Sequence, residues 1–456
     1  MTDVHPEENL VKNLRSAVDG PVLLPGDDGF PRAARPWNLA VDQPVAAVVH
    51  AEDAGDIAAL VRYARTHGLS VATQPSGHGA TGDVAGVILL RTGRLGELRV
   101  DPDARTARVG AGVTWGQVQA VAGAHGLTGL PGSSPVVSVA GYTLGGGLSW
   151  FGRKHGWAAD SVTAFEVVDA EGHRARVTAD SDAELFWALR GGGGDFAIVT
   201  AIEFGLHPAP ALYGGRMLWP ADHAPDVLAA FHDITAGAPD ELTVWADLLH
   251  FPGSAPVIAV DATYLGDPAG ARALLRPLDE IGTPISDSRT AMPVADLGTI
   301  TAEPTTPGPG LARGELLTEL TDTAIKALLA APIQPLLTVQ IRHLGGALAR
   351  PSDSPHGPLT EPYALYLFGV PTAPATATAI RARQDDLTAD LAPHLGDRKP
   401  FTCLAPGETT AAAFTPEALT RLRAIKRSRD PHGVFRSNFP VLAPEPDRAS
   451  ASEPRP

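Results

Sequence analysis

Cysteine is nearly absent. Cys403 is the only one in 456 residues, so no intrachain disulfide can form, although that alone leaves the redox compartment open. No Gly-Lys pair occurs, which removes a phosphate-binding loop of the Walker type. Basic residues are in deficit: 36 Lys and Arg stand against 51 Asp and Glu, and the net charge of -15 argues against nucleic acid or an anionic membrane surface as partner. Long apolar runs are missing too. The longest, residues 324–341, is broken by Lys326, Pro332 and Pro335 and is no membrane span. The opening MTDVHPEENLVKNL carries acids and no apolar core, so a secretory signal is not expected and the cytoplasm is the expected location. The 15 histidines are scattered without a zinc or metalloprotease spacing, and metal chemistry is not expected.

What is present describes a globular enzyme-sized chain. A hydrophobic content of 44% is ordinary, and the length allows two or three domains around a large core. The excess of arginine over lysine, with abundant alanine, glycine and proline, reads as a GC-rich bacterial coding bias. PVAAVVHA predicts a strand, AGDIAALVRYARTH over 54–67 an amphipathic helix closed by Gly68, and LSVAT another strand. VILLRTGRL and the segment from Thr106 repeat that order to about Pro208. From 209 to 395 the pattern shifts to candidate strands such as ELTVWADLLHF, VIAVDATYLG, LTVQIRHLGGAL and YALYLFGV, separated by helices. The tail, 443–456, has the composition of a disordered segment.

Directly after LSVAT comes QPSGHGATG, residues 74–82, where His78 stands between glycines. Glycines let the chain turn tightly and approach a ligand closely, and successive N–H groups in such a turn form an anion site. The same stretch also fits a glycine turn whose histidine only caps backbone carbonyls. The four glycines at 191–194 can be forced into a dinucleotide pattern at Gly192, Gly194 and Ala197, but helical ELFWALR precedes them where a strand is required.

Two further segments, LPGSSPVVSVAGYTLGGGLSW from Leu130 and LFWALRGGGGDFAIVTAIEF from Leu185, follow the histidine turn, and RLRAIKRSRDPHGVFRSNFP from Arg421 lies near the end. In order and spacing these resemble the vanillyl-alcohol oxidase and berberine-bridge-enzyme-like family of FAD-linked oxidoreductases, with its PCMH-type FAD-binding domain. The resemblance covers 37–208 well, 396–440 clearly and the middle loosely. It implies an α+β protein: a two-part FAD-binding domain over 1–208 (core 37–208), a substrate-binding domain over 209–395 with a mixed or antiparallel sheet covered by helices, and a return over 396–442. It also implies that His78 is joined to the flavin 8α carbon, and that Ser76, Gly77 and Gly79 hold the pyrophosphate. Ser133, Ser134, Ser138, Gly141, Thr143, Gly145 and Gly146 would line the isoalloxazine and ribityl chain. Ile198 and Val199 would sit near the adenine, and Asn438 would close over the flavin.

Departures from the family pattern qualify the chemistry. Ser134 stands where many members have a cysteine bonded to flavin carbon 6, so a single covalent link, through His78, is expected. Phe401, Thr402 and Cys403 replace a YxN motif whose tyrosine helps deprotonate alcohols, and Ser138 replaces a glycine near the reactive edge. Tyr366, Asp247 and His343, on the expected sheet strands, are the candidate replacement bases. The resulting expectation is an FAD oxidase of a small or medium organic substrate in specialised metabolism, with O2 reduced to H2O2. Its alternatives are a redox-neutral isomerase or cyclase, or a non-catalytic flavin or metabolite binder.

Overall fold

The computed structural model describes residues 13–442. NLVKNLRSAV over 9–18 has a helical pattern but falls partly outside that range, and within it the 3-10 turn Leu14–Ser16 is formed. The tail expected to be disordered, 443–456, also lies outside the described residues.

The first strands are β1 (Val22–Leu23), β2 (Ala47–His50), β3 (Val71–Thr73) and β4 (Ile88–Arg91), which form a sheet in the order β1-β2-β4-β3. β4 runs parallel to both β2 and β3. Between β2 and β3 lies the helix Ala54–His67. The Asp53 carboxylate starts it by accepting from the Gly55 and Asp56 amides, and Gly68, at φ +67°, ends it. Its Ile57, Leu60, Val61 and Ala64 are fully buried against this sheet.

The next strands are β5 (Leu98–Asp101), β6 (Thr106–Gly110), β7 (Leu127–Thr128), β8 (Val162–Val168), β9 (Arg174–Val177) and β10 (Ile198–Gly205). All but β7 join an antiparallel sheet ordered β5-β6-β10-β8-β9, while β7 pairs with β11 (His207–Pro208). The remaining strands form one antiparallel sheet. They are β12 (Tyr213–Pro220), β13 (Leu242–Leu249), β14 (Val257–Tyr264), β15 (Ser286–Asp287), β16 (Thr290–Ala291), β17 (Leu311–Leu317), β18 (Thr338–His343) and β19 (Tyr363–Gly369). Their order is β15-β12-β14-β13-β18-β19-β17, with β16 also on β12.

Register decides what each face of this large sheet carries, because side chains alternate along a strand. Trp245 pairs with Asp261 and Arg342, Asp247 with Gln340, Gln340 with Tyr366, and Arg216 with Asp261. Those residues therefore share one face. The alternate residues, among them Val244, Ala246, Val339, Ile341, Leu365 and Leu367, bury in a core with the helices Ala224–Ala236, Asp322–Leu329 and Pro374–Asp390. Every residue of β13 is buried, so its polar face is covered as well.

What covers it is the chain that precedes the sheet. Trp150 stacks on Trp245 with ring centroids 3.6 Å apart, and the buried Arg153 guanidinium donates to the carbonyls of Leu242 (2.8 Å), Ala238 (3.1 Å) and Leu344. The C-terminal segment returns to the first sheet: Val71 N–H donates to Val434 O at 2.7 Å and Arg436 N–H to Val71 O at 2.9 Å. Lys426 fixes this return by donating to Asp430, Asp195 O and Phe435 O. No helix among the described residues is long and apolar enough to cross a membrane.

Candidate active site

The turn that leaves β3 is held open by its surroundings. Buried Arg91 donates to Gln74 O, Ala33 O and Arg35 O, and Trp37 N–H donates to Ser76 O at 2.9 Å. Gly77 adopts φ +82°, where a side chain is strained, and a Cβ there would meet Pro36 at 3.0 Å. The turn thus presents His78 inward. Its ring stacks on Trp37 at 4.3 Å, and its Nδ1 shares a 2.7 Å hydrogen bond with Ser76 Oγ. Its Nε2 is buried without a partner. Burial pushes the imidazole down to about 4, so it is neutral at pH 7, and Nε2 carries the lone pair in the tautomer whose Nδ1–H donates to Ser76 Oγ.

His78 opens onto a cavity of about 340 Å³, within the usual range for a ligand site. Of the residues expected to bind a cofactor, Ser76, Gly77, His78, Gly79, Ser138, Gly141, Gly145, Ile198, Val199 and Asn438 line its wall. Ser133, Ser134, Thr143 and Gly146 do not. Ser138 lines it with little polar offer, since its hydroxyl donates away to Ala111 O. Gly146 is instead packed from behind: at φ +95°, a Cβ there would lie 2.5 Å from Nε2 of His356. That imidazole, itself buried, stacks on Trp157 and bonds Gly145 O at 3.1 Å. It comes from the loop before β19 and props the glycine turn.

Several wall residues lie within the quoted motifs but were not expected to bind the cofactor. Tyr142, on the short helix Val139–Leu144, Gln74, and Arg436 and Ser437 of the C-terminal return all line the cavity. Each holds a buried polar atom without a partner: Tyr142 Oη, Gln74 Oε1, Arg436 Nε and Ser437 Oγ, beside His78 Nε2. Native proteins rarely leave so many polar atoms orphaned around one space. Donors, acceptors, an arginine and glycine backbone facing one cavity are the chemistry that a flavin with its pyrophosphate and ribityl hydroxyls satisfies, so the residues fit FAD. Nothing short of the structure joins Tyr142 and Gln74 to this wall, whereas Arg436 and Ser437 immediately precede Asn438.

The three candidate bases do not converge. Asp247 is buried on the inner sheet face, where it accepts from Gln340 (2.9 Å), Thr338 (3.1 Å) and Arg216 (3.3 Å). His343 lies on the other face, under the helices and beside Tyr363, and burial drives it down to about 2. It is thus misplaced as a base: odd and even positions of β18 face opposite ways. Tyr366 is on the inner face, its hydroxyl without a protein partner among the described residues. Burial raises its phenol to about 12 although the neighbouring Arg342 pulls it down. Between this face and the cavity runs Phe401–Leu404. Phe401, Thr402 and Leu404 line the cavity, and Cys403 backs onto β17, where a Cβ on Gly314 would touch it at 2.6 Å. Phe401 packs with Phe414 and Phe439 as apolar wall.

Beside Asp247, Arg216 forms a two-pronged ion pair with fully buried Asp261, Nε to Oδ1 at 2.6 Å and Nη2 to Oδ2 at 2.7 Å. Burial and the adjacent Asp247 push the Asp261 carboxyl up, against the pull of Arg216.

Residues 45–178 match the family described as FAD binding domain. The chain is 26% identical over 470 aligned residues to (R)-6-hydroxynicotine oxidase of Paenarthrobacter nicotinovorans, covering 93% of this chain and 97% of that protein. It is 27% identical to a chitooligosaccharide oxidase of Gibberella zeae over 60% of this chain and 56% of the relative. An FAD-linked oxidoreductase of Aspergillus terreus, pgmH, matches at 30% identity, but the alignment spans only 46% of it. Among solved structures, Physcomitrella patens BBE-like 1 superposes with a TM-score of 0.82 at 19% identity, over 95% of this chain and 99% of that one.

Proposed function

We propose that this chain, a member of the vanillyl-alcohol oxidase and berberine-bridge-enzyme-like FAD oxidases, removes a hydride from a small organic substrate and delivers the electrons to O2. The observation that carries this reading is the ring of orphaned polar atoms around the cavity, with neutral His78 at its edge. Bound there, FAD would supply the redox chemistry, accepting the hydride and later reducing O2 to H2O2. The backbone of Ser76, Gly77 and Gly79, with Arg436, would hold its phosphates, and Ile198, Val199 and Asn438 its remaining length. His78 is the point of covalent attachment, since its Nε2 has no competing partner, and Ser134, off the wall, adds no second bond.

Substrate is held between the cavity and the inner sheet face. At neutral pH the Tyr366 phenol is protonated, so it donates a hydrogen bond to the substrate heteroatom and exchanges a proton only as the substrate reacts. Phe401 takes up no proton. That loss favours tailoring of a specialised metabolite over the oxidation of sugars, the class to which the relative named chitooligosaccharide oxidase is directed.

A test needs no substrate. The purified holoprotein is photoreduced without oxygen and then mixed with aerated buffer. The oxidase reading expects reoxidation far faster than that of free reduced FAD, with one H2O2 per flavin. Reoxidation no faster than free FAD would instead indicate a redox-neutral enzyme or a mere binder.

A further inference from the structure

Two arginines stand on the inner sheet face, and their surroundings differ. Arg216 is saturated by Asp261 and Asp247. Arg342 has no carboxylate partner. Its Nε donates to Gln340 Oε1, and the Gln340 amide is fixed in that orientation because its nitrogen donates to Asp247 at 2.9 Å. Its two Nη groups have no protein acceptor among the described residues. The guanidinium lies over the Trp245 ring at 4.3 Å and the Tyr366 ring at 5.0 Å, so its plane is held while its edge stays free. It is half-buried, and its charge acts on Tyr142, which lines the cofactor cavity, and on Cys403, which backs it. Glu303 bears on Tyr366 and Arg216 and makes no ion pair among the described residues, and Glu315, which bears on Cys403, is paired with Lys399 and Arg313.

A half-buried, oriented guanidinium with two unused donors matches a carboxylate, which accepts two parallel N–H bonds in one plane. We propose that Arg342 binds a carboxylate of the substrate and that the enzyme acts on organic acids. The assignment rests on the oxidase reading above, because it places the acid's reacting carbon between Tyr366 and the cavity wall. Trp245 and Tyr366 serve as walls, and Gln340 sets the guanidinium's rotation.

The test titrates the holoprotein with acetate, benzoate and phenylacetate, each beside its neutral primary amide. Flavin absorption and tryptophan fluorescence are both followed. Trp245 lies against Arg342, so fluorescence reports binding whether or not FAD is loaded, and the FAD content is measured separately. At least one carboxylate is expected to bind about tenfold or more tightly than its amide. Arg342→Gln should erase that preference, and Arg342→Lys should restore part of it with FAD content unchanged. Acids and amides binding alike in the wild type would overturn the assignment without any variant. So would an Arg342→Gln protein that loses FAD yet keeps the preference. Absence of FAD from the wild type would reject the oxidase reading while leaving the fluorescence comparison able to decide this one.

Discussion

The cofactor cavity and the sheet face above it are both polar, but the first is built largely from backbone and the second from side chains drawn from five strands. On the cavity side, Gly77 and Gly145 bring main chain to the ligand space, where a Cβ would meet Pro36 at 3.0 Å and Thr402 at 2.8 Å. Across from it, Arg216, Asp261, Asp247, Gln340 and Arg342 form a connected row of side-chain hydrogen bonds. On the proposed reading, the cavity sets the cofactor and the sheet face the substrate.

Breaking the cavity should cost most. Gly146→Val puts a side chain into the His356 ring at a strained φ, and it is expected to leave the protein without bound FAD, read as the ratio of flavin to protein absorbance. The opposite wall should behave otherwise. Tyr366→Phe is expected to keep a full FAD complement while slowing anaerobic flavin reduction about 10²-fold, the lower range for losing a proton-handling group. Loss of FAD in that variant, or its retention in Gly146→Val, would dissolve the division between the two walls.

This contrast also explains what could be read in the sequence. Glycine turns leave a mark because only glycine satisfies them, so the histidine turn and the segment ending in Gly145–Gly147 were legible, as was the α+β plan with its sheet-rich second part. The antiparallel pairing of that sheet follows from register, which one strand does not encode. His343 shows the cost: at the end of the alternating strand TVQIRH it shares a face with Val339 and Ile341, which pack under the helices, and not with Gln340 and Arg342. Ser133, Ser134, Thr143 and Gly146 lie in a legible motif yet do not line the wall: Thr143 is buried on the helix Val139–Leu144, and Gly146 is packed against His356. The roles of Trp37, Tyr142, His356 and Arg342 were not legible. Each acts through contacts with residues far away in the chain.

A smaller effect sharpens the role of His356. In the fold it stays neutral down to about pH 4, because burial disfavours its charge. The unfolded chain takes up that proton near the ordinary value of about 6.5. Acidification between those limits therefore favours unfolding, by about 1.4 kcal/mol per pH unit for this residue, and the contribution is fully present above about 6.5. His356→Phe should flatten the fall of stability between pH 6.5 and 4 by that slope, measured by denaturant unfolding. An unchanged slope would mean that the imidazole is charged or exposed in the native state.

The central claim is that the cavity holds FAD through His78 alone, and the direct measurement is what remains bound after denaturation. Purified protein, precipitated with acid and digested, should yield one flavin-bearing peptide, containing His78, and none containing Ser134. His78→Ala should release its flavin completely into the supernatant. Wild-type protein whose FAD is fully extracted by acid, or a flavin cross-linked to the Ser134 peptide, would contradict the account.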